Sequence, residues 1–295
     1  MGQALHGYGA AMGRVTTRVP RLRVDVGSGV ESSRPDTVLV EEPLEVRVEG
    51  EALATTMRTP GDDFDYAIGH LLTEGLIHSA HEVAAMMHCT DVDASGVATF
   101  NVVDVTLRPG GHLRARPRAR TETMTSACGV CGSQSVDDVR SALRYAAEPG
   151  RARISPAVVA GLPDTLRSAQ KTFERTGGAH AAALVDTAGD LRVVREDVGR
   201  HNAVDKVIGA LARDTDPPFG DLVLVVSARA SFELVQKAAM VGLPALVAVG
   251  APSSLAISLA QEVGMTLVAF ARGTTFSVYA HPERLVAGPD VTQNI

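Results

Sequence analysis

Short apolar runs alternate with amphipathic segments from His180 onward. The runs are rich in Val, Leu and Ala and comprise AAALVD, LRVVRED, DLVLVVS, PALVAVG and MTLVAFA, with FSVYA as a final strand. Segments of helical period, NAVDKVIGALA, SFELVQKAAM and SSLAISLAQEV, separate most of them. Near-continuous apolar strands that alternate with helices are typical of a sheet buried on both faces. We therefore predict an α/β layer domain over residues 151–295.

Residues 36–150 carry a different pattern. Leu44, Val46 and Val48 alternate with polar residues in LEVRVEG, as in a half-buried strand, and a glycine then favours a turn into ALATTMR. The stretch TPGDDFDYAIGHLLTEGLI has apolar residues at helical spacing, acidic residues in its first turn, and Gly75 to end it. A second strand pair, ATFNVVDVTL and HLRARPRA, flanks a Pro-Gly-Gly turn. These elements predict a smaller α+β domain.

The boundaries of the two predicted domains follow from the segments around them. Residues 1–35 are rich in Gly, Arg and Ser without sustained periodicity, which predicts a flexible N-terminal tail. Ser135 and Asp138 form an S-x-x-D helix start, and we expect that helix to run to about Ala147. The stretch EPGRARISP has the composition of a linker, so the first domain is expected to end near residue 150.

Composition narrows the class of protein. A net charge of −6 argues against a nucleic-acid binder held by bulk electrostatics. Three cysteines in 295 residues do not form a secreted disulfide framework, which favours a reducing compartment. No apolar run reaches the ~18 residues of a membrane span, and the start MGQALHGYGAAMGR lacks the apolar region of a signal peptide. We therefore expect a cytoplasmic protein without nucleic-acid or membrane partners.

Four loops of the predicted α/β domain share one composition. Each follows an apolar strand and contains small residues, and three of them carry a basic side chain. Ligands of open α/β sheets bind at the carboxyl ends of the strands, where helix N-termini offer unpaired N–H groups to anions. We predict an anion site there with side chains from Arg200, His201, Ser227, Arg229 and Arg272. The alternative is that the Ser and Gly residues are ordinary helix caps and the arginines are solvated.

His201 could act as a base, donate a hydrogen bond to a phosphate group, or cap the start of its helix. An acid–base role would require an oriented partner, for which Asp197 is the candidate. Asp205 and Lys206, on the helix that follows, are interpreted as surface or packing residues. No P-loop and no G-x-G-x-x-G after a strand is present, which excludes those two nucleotide-binding motifs.

The stretch TSACGVCGS places Cys128 and Cys131 three positions apart. A zinc site is disfavoured because the only further cysteine is Cys89, with no second C-x-x-C pair. A thioredoxin-type redox pair remains open, since a helix is predicted shortly after the pair. Glycines on both sides of Cys131 make a supple loop that could carry a sulfur atom, and core filling is the remaining alternative.

Several long segments follow one another along the chain: CGVCG, EDVGRHNAVDKVIG, SARASFELVQKAAMVG, APSSLA and MTLVAFARGTTFSVYAHPERL. Together they resemble the FdhD family of formate dehydrogenase accessory sulfurtransferases, and the resemblance covers roughly residues 36–285. It implies a cytidine-deaminase-like, three-layer α/β C-terminal domain without the deaminase zinc, a smaller α+β N-terminal domain, and a homodimer.

The resemblance also implies an activity. Members of the family receive sulfur from a cysteine desulfurase as a persulfide and transfer it to molybdenum in the bis(molybdopterin guanine dinucleotide) cofactor, for use by formate dehydrogenase. Cys128 matches the persulfide-bearing cysteine and Cys131 its companion. The implied cofactor-binding loop comprises Phe270, Ala271, Arg272, Gly273, Thr274 and Thr275, although many relatives carry a basic residue in place of the last of these. A thiol–disulfide oxidoreductase and a non-catalytic cofactor chaperone are the alternatives.

Overall fold

The computed structural model describes residues 14–89, 100–114, 139–140, 142–145 and 152–286. The described chain begins with an isolated hairpin in which β1 (Thr16–Asp25) pairs antiparallel with β2 (Val30–Leu39). The prediction of a tail without regular structure was therefore wrong for residues 16–35. Most side chains of the hairpin are exposed. The alternation of buried and exposed positions that marks a half-buried strand is consequently missing from its sequence.

A four-stranded sheet follows, built from β3 (Glu42–Val48), β4 (Glu51–Arg58), β5 (Val83–Cys89) and β6 (Val102–Leu107). The strand order is β4-β3-β6-β5, with β3 and β6 parallel and the other neighbours antiparallel. The inward alternation predicted for β3 is confirmed, since its three apolar side chains are all buried.

The second predicted hairpin of this half was wrong in its partner. β6 pairs with β3 and β5, not with the segment HLRARPRA, whose described residues 112–114 form no strand and whose remainder lies outside the described residues. β5, with the sequence VAAMMHC, was not predicted. Only one residue of that strand is β-branched, so the strand depends on pairing with β6 more than on its own propensity.

The larger sheet has six strands, β7 (His180–Asp186), β8 (Leu191–Asp197), β9 (Leu222–Val226), β10 (Ala245–Ala248), β11 (Thr266–Arg272) and β12 (Thr275–Ala280). Their order is β12-β11-β10-β9-β7-β8. β9, β10 and β11 are parallel neighbours, while β7 runs antiparallel to both β8 and β9. As a result β8, β9, β10 and β11 all point in the same direction.

Six α-helices have bounds in the described chain: α1 (Asp63–Thr73), α2 (Pro156–Ala169), α3 (Lys171–Thr176), α4 (Arg200–Ala212), α5 (Phe232–Met240) and α6 (Ser254–Glu262). Two short 3-10 helices span Ala80–Glu82 and Pro282–Arg284. Of the helix predicted between Ser135 and Ala147, the described residues 139, 140 and 142 are helical, and the helix ends before residue 143.

Both faces of the six-stranded sheet are covered, as the sequence predicted. Alternate strand residues on one face pack against α2, where Val159, Leu162 and Leu166 are buried. The residues on the other face join a core that continues through α4, α5 and α6 to α1 and the four-stranded sheet. The protein is therefore a mixed α/β fold in which one apolar core connects the two halves.

The two halves meet most closely where α1 crosses α4. A Cβ atom on Gly69 of α1 would lie 1.8 Å from the main-chain oxygen of Asp205, and one on Gly209 of α4 would lie 1.8 Å from the main-chain oxygen of Asp65. Only glycine permits this approach, because a side-chain carbon at either position would overlap the opposing backbone. The crossing fixes α4, and with it the N-terminus of α4, against the N-terminal half of the chain.

Candidate functional site

Four loops lie along one edge of the six-stranded sheet, which we call the strand-end edge. They are residues 198–199, 227–231, 249–253 and 273–274, and they follow β8, β9, β10 and β11. Because these four strands point the same way, the loops emerge together, as the sequence predicted. The first three loops lead into α4, α5 and α6, so three helix N-termini face this edge.

The starts of α4 and α5 leave polar groups unsatisfied. Nε of Arg200, Nε2 of His201 and Oγ of Ser231 are buried and have no hydrogen-bond partner among the described residues. Gly199, the N-cap of α4, has no side chain, and Ser231, the N-cap of α5, makes no capping hydrogen bond. By contrast, Ser253 at the start of α6 accepts a hydrogen bond from the N–H of Ala256 at 3.2 Å. Buried polar groups without hydrogen-bond partners are rare in folded proteins, so the starts of α4 and α5 are chemically suited to an anionic ligand.

The carboxylate that faces His201 is Glu233, not Asp197. Nε2 of His201 lies 3.9 Å from Oε2 of Glu233. The interaction with His201 is the largest cause that lowers the pKa of Glu233 from 4.5 to about 2. Glu233 therefore stays ionised at neutral pH and places a negative charge beside the ring of His201.

Asp197 has other partners. It is fully buried and accepts hydrogen bonds from the N–H of Thr59 at 3.1 Å and from Asn202 at 3.0 Å. It also pairs with Lys206 at 2.7 Å. These contacts occupy both carboxylate oxygens, so the predicted pairing of Asp197 with His201 was wrong.

His180 is a residue of this edge that the sequence did not suggest. It begins β7, which runs antiparallel to β8 and β9, so the start of β7 lies at their ends. Burial and the nearby charge of Arg200 lower the pKa of His180, against the opposing effect of Asp197. A neutral imidazole beside a cationic group offers both a donor and an acceptor to a ligand. The sequence gives no sign of this role, because His180 begins its strand whereas the predicted site residues follow strand ends.

The loop after β9 contributes Ser227 and Arg229. Ser227 Oγ accepts a hydrogen bond from the N–H of Ala181 at 2.9 Å, so this hydroxyl holds the start of β7 in place. Arg229 is exposed, and Gly250 of the next loop lies so close that a Cβ there would be 3.0 Å from the Cα of Arg229. Ser227 is therefore a supporting residue, while the guanidinium of Arg229 is accessible at the edge.

Residues 270–275 form an exposed corner between β11 and β12. Phe270 has a φ of 53°, lies within an irregularity of the strand register, and is 46% exposed. Arg272, Gly273 and Thr274 are exposed, as is Thr275, whereas the side chain of Ala271 is fully buried against the α2 face of the sheet. A left-handed, non-glycine residue stores strain that is often found at binding sites. Ala271 can contribute only its backbone to a ligand.

A buried charged network fixes the helices behind the edge. Lys237 of α5 donates to both carboxylate oxygens of Asp205 on α4 at 2.9 Å and to Thr73 of α1 at 3.0 Å. Asp205 and Lys206 are 2% and 1% exposed, so of the two interpretations the packing one is confirmed, the surface one was wrong, and both residues form buried ion pairs. Burial alone would raise the pKa of Asp205, but Lys237 and His70 together leave that pKa lowered. Burial would lower the pKa of Lys237, and Asp205 and Glu74 together leave it raised.

The cysteine pair Cys128 and Cys131 lies outside the described residues. Cys89 is the last residue of β5, is partly buried, and is a free thiol. A cavity of about 180 Å³ lies where α1 and α5 end, and its lining includes Arg114 and Ala142, which flank the cysteine segment in sequence. α5 starts at the strand-end edge and its last residue lines this cavity, so the two places are separated by one helix of nine residues, about 13 Å.

Within the described part of the chain, no group of three or more His, Cys, Asp and Glu side chains could hold a metal ion. Among the described helices, none combines the length and the apolar character needed to cross a membrane.

Comparison with known proteins identifies the family that this chain resembles. A model of the FdhD/NarQ family matches residues 39–286. A protein of Streptomyces coelicolor named sulfur carrier protein FdhD is 48% identical over 283 residues, covering 96% of this chain and 100% of its own. The equally named protein of Mycobacterium tuberculosis is 50% identical over 257 residues, covering 86% of this chain and 93% of its own.

A crystal structure from Desulfotalea psychrophila, described as that of a candidate formate dehydrogenase accessory protein, matches with a TM-score of 0.70 at 22% identity. It covers 92% of this chain and all of its own length, and it supports the fold. From the family match and the identity of its relatives, the chain belongs to the FdhD/NarQ family.

Proposed function

We propose that this chain is a sulfurtransferase that accepts sulfur on Cys128 and passes it to the bis(molybdopterin guanine dinucleotide) cofactor for formate dehydrogenase. The observation that carries the proposal is a set of buried polar atoms at two adjacent helix N-termini, on Arg200, His201 and Ser231, that have no hydrogen-bond partner among the described residues. Such a set suits the phosphate groups of a dinucleotide. The names of the relatives, sulfur carrier proteins, agree with this reading.

Sulfur would be loaded by exchange between two cysteines. The thiolate of Cys128 attacks the outer sulfur of a persulfide on a cysteine desulfurase. A new S–S bond forms on Cys128 while the S–S bond of the donor breaks, and the desulfurase cysteine leaves as a thiolate. Four arginines between residues 114 and 120 precede the pair in sequence, and positive charge near the thiol would favour its thiolate by lowering its pKa.

Delivery to the cofactor requires two electrons, because the outer persulfide sulfur must leave as sulfide. Cys131 can supply them by attacking the inner sulfur of the Cys128 persulfide. Hydrosulfide is then released to replace an oxygen ligand of molybdenum, which departs as hydroxide. The resulting Cys128–Cys131 disulfide would be returned to two thiols by a cellular dithiol reductant.

The strand-end edge would hold the cofactor as the acceptor substrate. Arg200, His201 and the N–H groups at the starts of α4 and α5 would bind phosphates, with Arg229 and Arg272 adding charge from neighbouring loops. Phe270, with its exposed ring, would stack on a guanine. Loading and acceptor binding would thus use separate segments of the chain.

We also propose a cytidine-deaminase-like arrangement of the C-terminal layers, a homodimer and a cytoplasmic location. The first is supported by a sheet with helices on both faces. The second follows from the family resemblance, and the third from the few cysteines of the chain.

Intact-mass analysis tests the loading step. After incubation with a cysteine desulfurase and free cysteine, the wild type should gain the mass of one sulfur atom. Cys128→Ala should gain none and should fail to activate formate dehydrogenase, while the control Cys89→Ser should behave as the wild type. A thiol–disulfide oxidoreductase would instead lose two hydrogens without gaining sulfur. Full activation of formate dehydrogenase by Cys128→Ala would refute the proposal.

A further inference from the structure

The start of α4 is held by a residue of the other half of the chain. Thr59 follows β4 in the N-terminal half, and its three polar groups all bond to residues around the start of α4. Its N–H donates to Oδ2 of Asp197 at 3.1 Å, and its Oγ1 accepts from the N–H of Val198 at 3.0 Å. Its main-chain oxygen accepts from Nζ of Lys206 at 2.8 Å. Thr59 is 2% exposed, so these bonds form away from solvent.

A second contact from the N-terminal half reaches Asn202, in the first turn of α4. Nδ2 of Asn202 donates to the main-chain oxygen of Met57 at 2.8 Å and to Oδ1 of Asp197 at 3.0 Å. Oγ1 of Thr56 on β4 donates to Oδ1 of Asn202 at 3.2 Å. Both polar atoms of this buried side chain therefore have partners within the protein. The side chain of Asn202 supports the helix start instead of binding a ligand.

These contacts fix the two-residue loop that leads into α4. Thr59 binds the N–H of Val198, and the N–H of Gly199 donates to Oδ1 of Asp197 at 2.8 Å. Both N–H groups of the loop are thus satisfied inside the protein. Because the loop is short and held at each residue, α4 has to begin at one position relative to the N-terminal half.

Arg200 and His201 come directly after this loop, as the first two residues of α4. Each carries a buried side-chain nitrogen without a hydrogen-bond partner among the described residues. Their main-chain N–H groups lie in the first turn of the helix, where intrahelical acceptors are missing. An anion at this place would be bound by groups whose positions depend on the loop. Charge-assisted hydrogen bonds weaken when their length or angle is changed, so the position of the loop sets the affinity.

The charge behind the helix start is balanced by the same contacts. Asp197 is fully buried, and an unpaired carboxylate there would repel an anion at the start of α4. Nζ of Lys206 lies 2.7 Å from Oδ2 of Asp197 and is also held by the main-chain oxygen of Thr59. Thr59 therefore helps to place the positive charge that offsets the carboxylate.

We propose that Thr59 and Asn202 are positioning residues for the anion site at the start of α4, and that Thr56 supports Asn202. The acceptor site of the C-terminal half is then completed by residues of the N-terminal half. The inference rests on the proposed function for the identity of the anion, the phosphate groups of a guanine nucleotide. The side chains of the positioning residues act by holding the loop and the first turn of α4.

Removal of one hydroxyl group tests the proposal. Thr59→Val keeps the shape of the side chain but takes the acceptor away from the N–H of Val198, and Thr59→Ser restores the oxygen. Thr266→Val is the matched control, because Thr266 is 1% exposed and its Oγ1 donates to the main-chain oxygen of His281 at 2.6 Å. Thr266 begins β11, so it lies at the end of that strand away from the strand-end edge. Calorimetric titration gives the Kd of each full-length protein for GDP and for guanosine, and thermal melting reports its stability.

Thr59→Val should raise the Kd for GDP about tenfold and leave the Kd for guanosine unchanged, because the phosphate contacts depend on the loop and the contacts to the base do not. Thr59→Ser should stay within about twofold of the wild type. Thr266→Val should lower the melting temperature and change neither Kd, since a less stable protein that is still folded at the temperature of the titration binds normally.

A second variant keeps the test decisive if Thr59→Val does not fold. Thr56→Val, at a half-buried position, should raise the Kd for GDP about threefold, with recovery in Thr56→Ser. Wild-type affinity for GDP in the folded valine variants of Thr56 and Thr59 would overturn the inference alone. An equal rise in the Kd for GDP and for guanosine, or the same rise in Thr266→Val, would overturn it too, because either result would show a general loss of structure. A wild type that binds GDP no better than guanosine would overturn the anion site of the proposed function and the inference with it.

Discussion

The crossing of α1 and α4 makes a quantitative prediction about stability. Gly69→Ala would place a Cβ 1.8 Å from the main-chain oxygen of Asp205, where ordinary contacts begin near 3.4 Å. A main-chain oxygen cannot rotate away as a side chain can, so the two helices would have to separate by about 1.5 Å. Overpacking of this kind costs about 1–3 kcal/mol or more, against a gain of about 0.5–1 kcal/mol from replacing a helical glycine. We expect a net loss of about 2 kcal/mol.

Calorimetric melting provides the assay. For a chain of this size, a loss of about 2 kcal/mol lowers Tm by about 4–8 °C. Gly161→Ala in α2 is the matched control, because a Cβ there meets no atom within 4 Å. That variant should keep or raise Tm. Gly209→Ala should resemble Gly69→Ala, and the double variant should cost less than the sum, since one separation relieves both overlaps. A Gly69→Ala protein as stable as the Gly161→Ala protein would refute the reasoning.

Three further predictions concern charges. Lys237→Met should cost about 3–5 kcal/mol in urea unfolding, since it leaves Asp205 charged and buried, and adding Asp205→Asn should recover part of the loss. Because the pKa of Asp205 is lowered and that of Lys237 is raised, the pair stabilises the fold fully between about pH 3.8 and pH 10.5, and this stabilisation is lost at more acidic or more alkaline pH. A stability loss in Lys237→Met that does not change with pH would contradict the pairing. Because its pKa is lowered, ionised Glu233 stabilises the fold above about pH 4.5, and this stabilisation disappears as the pH falls to about 2. The stability difference between the wild type and Glu233→Gln should therefore shrink over that range, and an undiminished difference would contradict the lowered pKa. In calorimetric titrations GDP should bind better than guanosine and more weakly in salt, and Arg272→Ala should weaken GDP binding without reducing persulfide on Cys128; equal affinity for GDP and guanosine would remove the phosphate site.

The sheet of the C-terminal half could be predicted because each strand carries its own signal, a continuous apolar run, in the sequence. Runs such as LVLVV in β9 are apolar throughout, which happens only when both faces of a strand are buried. The direction of β8 through β11, and so the shared edge of four loops, followed from the alternation of strands with helices.

Features that depend on contacts between distant parts of the chain, or that carry no burial pattern, were not predicted. The β1–β2 hairpin exposes most of its side chains, so no burial pattern marks it in the sequence. Asp205 and Lys206 look like solvated helix residues, because the partners that make their burial tolerable, Lys237 and Asp197, are contributed by other elements of the fold.

The placement of the candidate site residues was predicted in part for a related reason. Loop composition and strand direction predicted that Arg200, His201 and Arg229 lie at one edge of the sheet, and the structure places them there. Glu233 was overlooked because an acidic residue in the first turn of a helix is ordinary. Its approach to His201 depends on how α4 and α5 pack, and sequence spacing carries no information about that distance.

Sulfur transfer from a preloaded protein tests the central claim most directly. The wild type is loaded with labelled sulfur by a cysteine desulfurase, purified away from it, and added to inactive formate dehydrogenase with unsulfurated cofactor. We predict that label leaves Cys128, appears on the molybdenum cofactor in proportion, and restores activity without any desulfurase present. Restored activity while the label remains on Cys128, or equal activation by unloaded protein, would contradict the account.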